Sequence, residues 1–389
     1  MDSPSNPENV SLVVPSLFHR DGIGHAVLST RQALKTSGFN VTVFCRKSDF
    51  DDEDIVFFDT SLSLAVNSSY IKSDIIIFFV GIQHRIFDIL WLGNGRALKI
   101  VRFHNITPQG IVDGITDLPS MAERNNYPYF INSADIIWCD SEFNRQSVTH
   151  RNHATEVIPL PVRNIKPSST RWSAKRIIKI VYVGRLVKSK NIKDLLLAIE
   201  ILSAAVTFPV QLTLAGSSRH ADISVLELIR DQARKAAGSY RIKLRLDLSQ
   251  AALDRLYRES DIFTTASLHE GFCIPVLEAL SAGALPVTYS NSNLQHIGGG
   301  LAVLSRSDTP NALAAALEEA SHMLLNRPAD DHEPYLKVQA GTFSFAEFDI
   351  AARAYLQNFT LKALGSQMIR SIGLKMGTRG RRHSPSGRF

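Results

Sequence analysis

The sequence has few cysteines and no long hydrophobic run. Its three cysteines, Cys45, Cys139 and Cys273, are scattered and lack the spacing of metal ligands, so we expect reduced, mostly buried thiols and no metal site. The longest strongly apolar run, Ile75 to Ile82, is far shorter than the roughly 20 residues of a membrane-spanning helix. The amino terminus, MDSPSNPENV, has no basic region followed by an apolar segment, so we expect no secretory signal and a cytoplasmic protein.

Acidic residues are missing from the last part of the chain. The stretch from Lys362 to Phe389 contains seven lysines and arginines and no acid, whereas the whole chain has a net charge of +6. The rest of the chain is therefore close to neutral. We predict that residues 362–389 form a basic, disordered tail. The tail is either simply solvated or in weak contact with the inner face of a membrane. A nucleic-acid partner is not indicated, because no aromatic residues alternate with the basic ones.

Short β-branched runs alternate with helical patterns along most of the chain. This alternation indicates parallel α/β architecture, and 389 residues suffice for two domains. We predict a Rossmann-like domain over residues 1–160, a linker over 161–172, a second Rossmann-like domain over 173–344 and a last helix over 345–361. Two doubly wound domains in series predict a ligand cleft between them, at the carboxyl ends of strands.

Several helices are predicted from periodicity and from capping signals. The apolar spacing, the preceding cap residues and the glycine or proline at the ends define their limits. The predicted helices are Gly24–Thr36, Ile192–Ser203, Ile223–Ala236, Gln250–Arg258, Pro275–Ala282 and Asn311–Leu325.

The first candidate motif is RDGIGHAV, in which Gly22 and Gly24 follow a predicted strand and precede a helix. Glycines at such a place let the backbone approach a ligand, and the helix start offers N–H groups to an anion. The alternative is a tight strand-to-helix turn without a ligand. Val27 stands where the dinucleotide fingerprint requires a third glycine, so a nicotinamide site is disfavoured.

The second candidate is VRFHNITP, in which His104 comes directly after a predicted strand. A histidine at the carboxyl end of a strand is placed to hydrogen-bond a ligand. The alternative is a structural histidine whose ring nitrogens bind other parts of the protein.

The third candidate is VYVGRLVKSKN, in which a strand runs into Gly184 and a loop carries Arg185 and Lys190. A guanidinium fork and a mobile ammonium suit a diphosphate. The alternative is a pair of exposed cations. Asn191 is predicted to cap the following helix.

The fourth candidate is HEGFCIPVLEAL. Pro275 is predicted at the first position of a helix, which puts Glu270 in the preceding loop and Glu278 in the first helical turn. Carboxylates accept hydrogen bonds from paired hydroxyls, and a helix start attracts an anion. The layout fits a nucleotide-sugar, in which a diphosphate joins a ribose to a hexose. The alternatives are a solvated Glu270 and a Glu278 that stabilises its own helix dipole. Three backbone N–H groups lie near the helix start: those of Gly271, Phe272 and Cys273.

Together these motifs resemble those of the retaining glycosyltransferases of family 4, which have the GT-B fold. LYRESDIFTTASLHEGFCIPVLEALSAGALPV is similar to the family's E-x7-E region, the most specific signal, and VGRLVKSKNIKDLLLAI is similar to its phosphate-binding loop. The resemblance covers about Val13 to Asn358. It implies two Rossmann-like domains that face a central cleft, with the last helix crossing back onto the N-terminal domain.

The resemblance also implies roles for the residues of the second half. Glu270 would bind hydroxyls of the donor hexose and Glu278 those of the ribose. Arg185 and Lys190 would hold the diphosphate, helped by Gly184 and the backbone N–H groups between the two glutamates.

In the first half, the resemblance implies that His104 lies beside the donor sugar, and that Gly22 and Gly24 form a flexible loop near the donor phosphate and the acceptor. Asp21 stands where many members have a further glycine. The stretch SNSNLQHI lacks the glycines and the acid often found after the E-x7-E region, and LRLDLSQ is unlike the usual loop beside the nucleobase. These departures leave the nucleobase and the hexose undefined.

We therefore expect a retaining glycosyltransferase that moves a hexose from a UDP- or GDP-linked donor to a hydroxyl of a glycan or lipid-linked saccharide. The expected setting is cell-envelope or extracellular polysaccharide synthesis, without a metal or another cofactor. Three alternatives remain: another GT-B enzyme such as a phosphorylase or a nucleotide-sugar epimerase, a non-catalytic nucleotide-sugar-binding protein, and a Rossmann dehydrogenase.

Overall fold

A computed structural model of the chain describes most of its residues. The described ranges are 8–19, 21–81, 84–92, 95–106, 131, 133–148, 154–167, 177–219, 221–236, 240–328 and 330–382. They fall into two compact units. The first contains the described residues up to Ile106, those from 131 to Pro161 and those from Phe359 onward, and the second runs from Val162 to Asn358. The segment 162–167, predicted to be part of a linker, thus belongs to the second unit.

The first unit is built around a parallel sheet. Its strands are β1 Asn9–Val13, β2 Ser16–Leu17, β3 Asn40–Cys45, β4 Lys47–Ser48, β5 Ile55–Phe57, β6 Ile75–Val80, β7 Leu98–Phe103, β8 Ile136–Cys139 and β9 Ala154–Val157. Seven of them form one sheet in the order β5-β3-β1-β6-β7-β8-β9, and β2 pairs with β4. Every residue of β6 is fully buried, as its unbroken IIIFFV run predicts for a parallel sheet covered on both faces.

The helices of the first unit, up to residue 148, are α1 Gly22–Thr36, α2 Ser61–Ala65, α3 Ser68–Ile71, α4 Ile89–Leu92 and α5 Glu142–Ser147, with a 3₁₀ turn at Arg85–Asp88. Helix α5 is capped by the Ser141 side chain, which accepts from the Asn144 N–H. A Ser at this position satisfies one of the N–H groups that a helix start leaves without a partner.

The second unit contains another parallel sheet. Its strands are β10 Ile178–Val183, β11 Val210–Gly216, β12 Tyr240–Leu246, β13 Ile262–Thr265, β14 Leu285–Thr288 and β15 Val303–Leu304, followed by an antiparallel pair, β16 Leu336–Val338 and β17 Gly341–Phe343. The six-stranded sheet has the order β12-β11-β10-β13-β14-β15. Because β10 and β13 are neighbours and parallel, the loops that follow them leave the same edge of the sheet.

The helices of the second unit are α6 Ile192–Ala205, α7 Ile223–Lys235, α8 Gln250–Glu259, α9 Ile274–Ala282, α10 Leu294–Ile297, α11 Pro310–Leu325 and α12 Phe345–Leu356, with a 3₁₀ turn at Lys188–Lys190. Helix α9 is buried from Val276 to Ala282 and contacts α8, α12, β13 and β14. It ends at Ala282, and the C-cap residue that follows, Gly283, has a φ of 92°, which favours glycine. The six helices predicted from periodicity have ends within two residues of those observed.

The last part of the chain differs from its prediction. Residues Leu361–Arg382 form a long helix, α13, where the basic composition predicted a disordered tail. Leu364, Met368 and Ile372 recur every fourth residue and are buried, and α13 packs on α1. The spacing of the apolar residues therefore determines the structure of this stretch despite its basic charge. The rest of the predicted tail, residues 383–389, lies outside the described residues.

The predicted helix over 345–361 is also corrected. Helix α12 ends at Leu356 and packs on α9 within the second unit, and the chain rejoins the first unit through Phe359 and α13. The contact with the first unit is thus made by a helix that the sequence did not predict. Among the described helices, none combines the length and the apolar composition needed to cross a membrane.

Candidate functional site

The loops after β10 and β13 bring two predicted site residues together. The Lys190 Nζ lies 2.6 Å from the Glu270 Oε1, and the two side chains are only 15% and 13% exposed. The pairing follows from the sheet, because β10 and β13 are neighbours and their carboxyl ends meet at one edge. A carboxylate predicted to bind the donor hexose and an ammonium predicted to hold the diphosphate thus form an ion pair in this structure.

The loop that carries Arg185 is fixed through its backbone. The Tyr182 hydroxyl donates to the Arg185 carbonyl oxygen at 2.8 Å, and burial raises the pKa of Tyr182 well above its usual value, so the hydroxyl stays a donor. A Cβ on Gly184 would lie 2.8 Å from the Tyr182 Oη, so glycine is needed for this close approach. Arg185 is exposed, so its guanidinium is accessible to an anion.

The Glu270 loop is held by the stretch that follows β14. The Glu270 N–H donates to the Ser292 Oγ at 3.0 Å, and the Asn293 Nδ2 donates to the Phe272 carbonyl oxygen at 2.9 Å. Ser292 itself adopts a φ of 43°. Side chains of the stretch SNSNLQHI therefore hydrogen-bond to the Glu270 loop and hold it in place.

Helix α9 begins one residue earlier than predicted, at Ile274, so Pro275 is its second residue and Glu278 lies beyond the first turn. The helix begins at Ile274 because Cys273, with a φ of 72°, is the N-cap residue. Burial raises the pKa of the Cys273 thiol well above its usual value. The thiol therefore stays protonated, which argues against a nucleophilic role.

Glu278 is fixed by two donors from other parts of the second unit. The Arg163 Nε and Nη2 donate to its Oε1 at 2.8 and 2.5 Å, and the Tyr257 hydroxyl donates to its Oε2 at 3.0 Å. Burial, and then the Glu278 charge, raise the pKa of Tyr257 well above its usual value. Glu278 is only 7% exposed, so its position is set by these partners and not by the dipole of its own helix.

In the first unit, His104 is part of a buried polar cluster. Its Nδ1 lies 2.6 Å from the Asp140 Oδ2, and the Arg102 Nε donates to the Asp140 Oδ1 at 3.2 Å. His104 and Asp140 follow the neighbouring parallel strands β7 and β8, which explains why they meet. Among the described residues, the buried His104 Nε2 has no hydrogen-bond partner.

Gly22 and Gly24 lie in the first turn of α1 rather than in a flexible loop. Asp21 is the N-cap residue, and its side chain accepts from the Gly24 N–H at 3.1 Å. A Cβ on Gly24 would lie 2.4 Å from the Phe18 carbonyl oxygen, whereas one on Gly22 would meet nothing within 4 Å. The prediction of a flexible loop is therefore wrong, because the aspartate caps the helix.

Three residues with central contacts were missed from the sequence. Asp140 follows directly after a strand, and a polar residue at the carboxyl end of a strand is a signal that the sequence carries. Tyr257 lies in an amphipathic helix and Arg163 in a segment read as a linker, and neither carries a local pattern that distinguishes it. Their importance arises only from partners distant in sequence.

Comparison with known proteins agrees with this reading of the second unit. Residues 167–328 match the family described as Glycosyl transferases group 1, a range that contains the Arg185 loop, Glu270 and Glu278. These residues of the second unit are thus similar to the Glycosyl transferases group 1 family.

Two relatives are mannosyltransferases by name. The chain is 27% identical over 206 residues to a GDP-mannose:cellobiosyl-diphosphopolyprenol alpha-mannosyltransferase of Xanthomonas campestris, over 51% of this chain and 47% of the relative. It is 28% identical over 136 residues to the O-antigen chain mannosyltransferase B of Escherichia coli, over 35% of this chain and 34% of the relative. The matches thus span about half of one relative and a third of the other.

Solved structures show the fold over nearly the whole chain. A sucrose-phosphate synthase of Thermosynechococcus elongatus matches with a TM-score of 0.69 at 16% identity, covering 95% of this chain and 100% of that structure. The alpha,alpha-trehalose 6-phosphate synthase of Burkholderia multivorans matches with a TM-score of 0.66 at 13% identity, over 95% and 100% of the two chains. The chain therefore has the predicted α/β architecture, the GT-B fold.

Proposed function

We propose that the protein is a retaining glycosyltransferase of family 4, which transfers a hexose from a nucleoside-diphosphate sugar to a hydroxyl acceptor. The observation that carries this proposal is the ion pair between Lys190 and Glu270, which lies next to the start of α9 within the residues that match the Glycosyl transferases group 1 family. A cation, a carboxylate and a helix start close together suit a substrate that joins a phosphate to a sugar.

The chemistry requires stabilisation of the leaving diphosphate. When the bond between sugar and phosphate breaks, positive charge develops on the sugar and negative charge on the leaving oxygen. We propose that Lys190 and Arg185 stabilise this negative charge together with the first N–H groups of α9. The donor would draw the ammonium toward its phosphate, which frees the Glu270 carboxylate to accept hydroxyls of the hexose. These groups supply the charge that a metal ion provides in other transferases, so the proposed reaction needs no metal.

The donor is proposed from the two mannosyltransferase relatives. One of them is named for GDP-mannose and for a cellobiosyl-diphosphopolyprenol acceptor, and the other for O-antigen chains. GDP-mannose is accordingly the first donor to test, and a lipid-diphosphate-linked saccharide of a polysaccharide pathway is the first acceptor. In this proposal Glu278 binds the ribose hydroxyls.

Retention at the anomeric carbon is part of the proposal. The proposed route is attack of the acceptor on the same face from which the diphosphate leaves, with a phosphate oxygen taking the acceptor proton. The neutral Cys273 thiol supports this route, since it is a poor candidate for a covalent intermediate. The anomeric configuration of the product, read by NMR, tests it.

The experiment incubates the protein with GDP-mannose or UDP-glucose, with and without a diphosphopolyprenol-linked disaccharide. We expect release of the nucleoside diphosphate that depends on the acceptor, and a product longer by one hexose. Release that needs free phosphate would indicate a phosphorylase, and conversion of the donor without acceptor an epimerase. Donor binding without turnover for any acceptor would indicate a non-catalytic binding protein.

A further inference from the structure

Arg163 has no assigned role, yet it joins two carboxylates of the second unit. Its Nε and Nη2 donate to the Glu278 Oε1, and its Nη1 donates to Asp254 of α8. Burial lowers the pKa of the guanidinium, but the ion pairs with Glu278 and Asp254 raise it by more. A planar fork can hold two partners in fixed directions, which an ammonium cannot do.

The segment around Arg163 is attached to α9 at a second point. The Ile165 N–H donates to the Ser281 Oγ at 2.8 Å, and this hydroxyl lies 3.4 Å from the Ile165 carbonyl oxygen. Ser281 comes three residues after Glu278 and therefore lies on the same face of the helix. Ile165 itself is buried. The backbone that carries Arg163 is thus fixed along the helix that carries Glu278.

The contacts of Glu278 make Arg163 decisive for the orientation of its carboxylate. Within the part of the chain that the structure describes, the Glu278 carboxylate accepts from one neutral side chain, the Tyr257 hydroxyl, and pairs with one cation, Arg163. Without Arg163, the Glu278 Oε1 would lose both hydrogen bonds that it accepts from the guanidinium, and the side chain would be free to turn away. A carboxylate that has turned away would no longer present its acceptor oxygens to ribose hydroxyls.

We propose that Arg163 is a positioning residue for the nucleoside half of the donor, which holds the Glu278 carboxylate in one orientation for the ribose hydroxyls. This inference rests on the proposed function, since it takes a nucleoside diphosphate as the ligand of the site. Arg163 acts through Glu278, so its contribution to nucleotide affinity should vanish when Glu278 can no longer accept as a carboxylate.

The test is a double-mutant cycle on nucleotide affinity, measured by calorimetry with GDP and UDP. The proteins are the wild type, Arg163→Gln, Glu278→Gln and the double variant. We expect each single variant to bind the preferred nucleotide about tenfold to a hundredfold more weakly, the range of a lost charge-assisted hydrogen bond. We expect the double variant to match Glu278→Gln within about twofold, because coupled residues are not additive.

Two further variants separate positioning from general stability. Arg31→Gln removes another arginine that joins two carboxylates, Asp52 and Asp54 of the first unit, and should leave nucleotide affinity unchanged. Arg163→Lys keeps the charge without the fork and should bind with intermediate affinity, which also keeps the test open if Arg163→Gln does not fold.

The outcomes distinguish this inference from the proposed function. Wild-type affinity in Arg163→Gln, or losses that multiply in the double variant, would overturn the positioning role while leaving the proposed function intact. Absence of nucleotide binding by the wild type would overturn the proposed function and this inference together.

Discussion

At the scale of single residues, Glu270 and Glu278 show how one residue type takes two roles. Glu270 lies in a loop and pairs with the mobile ammonium of Lys190. Glu278 lies in a buried helix and is held by the fork of Arg163 and by a hydroxyl. We expect the Glu270 carboxylate to exchange its partner for a ligand, whereas the Glu278 carboxylate is already held by its own partners.

The cations beside the proposed diphosphate should control turnover. We expect Lys190→Ala or Arg185→Ala to lower kcat by about 10²–10³, the usual loss when one preorganised donor to a developing negative charge is removed. Steady-state kinetics with the preferred donor measure this effect, and Lys188→Ala is the control, since Lys188 is an exposed cation of the same loop. Turnover like that of the wild type in both Lys190→Ala and Arg185→Ala would contradict the phosphate assignment.

The two glycines of α1 should respond differently to substitution. Gly24→Ala places a Cβ against the Phe18 backbone, and overpacking of this kind costs about 1–3 kcal/mol. Gly22→Ala meets no atom and gains helix propensity, so it should be neutral or slightly stabilising. Thermal unfolding of the two variants measures the difference. Equal unfolding temperatures of the two variants would show that the backbone at the start of α1 shifts to make room for the added Cβ at little cost.

At the scale of elements, strongly periodic helices could be predicted from the sequence and tertiary pairings could not. Helix α11 carries its Thr309 cap and its apolar stripe locally. The prediction that Asn191 caps α6 is wrong, because Asn191 adopts a φ of 50° and its side chain makes no capping hydrogen bond, donating instead to Asp194.

Helix α13 was missed because its basic composition was given more weight than the spacing of Leu364, Met368 and Ile372. The pairs Lys190–Glu270 and Arg163–Glu278 join residues 80 and 115 positions apart, and no local pattern encodes such a contact.

Helix α13 should be part of the folded first unit. The Trp138 Nε1 donates to the Ser371 Oγ at 2.9 Å in a buried place, so Ser371→Ala leaves an indole N–H without this partner. We expect a loss of about 1–3 kcal/mol, seen as a lower unfolding temperature and altered tryptophan fluorescence. Ser366→Ala, at an exposed position of the same helix, should change stability by less than about 0.5 kcal/mol. Equal behaviour of the two variants would mean that α13 contributes little to the unit.

At the scale of the whole molecule, the chain combines two parallel α/β units, and the unit that matches the Glycosyl transferases group 1 family contains the proposed donor site. The fold class could be predicted because alternating β-branched runs and helical periods encode parallel sheets. Lys190 and Glu270 could be singled out as candidates because they lie in loops that follow strands at the carboxyl edge of the sheet. Arg163 and Tyr257 were not singled out, because Arg163 lies in a segment that was predicted to be a linker and Tyr257 lies in a helix.

The central claim is that the second unit binds a nucleoside diphosphate through Glu278 and Lys190. The direct measurement is a thermal-shift series of the wild type and Glu278→Gln with UDP, GDP, ADP and dTDP. At about a hundred times the dissociation constant, we expect one nucleotide to raise the wild-type unfolding temperature by about 5–10 °C. The Glu278→Gln variant, with affinity about tenfold to a hundredfold weaker, should show about half of this shift or less at the same concentration. A wild type that none of the four nucleotides stabilises at millimolar concentration would contradict the account.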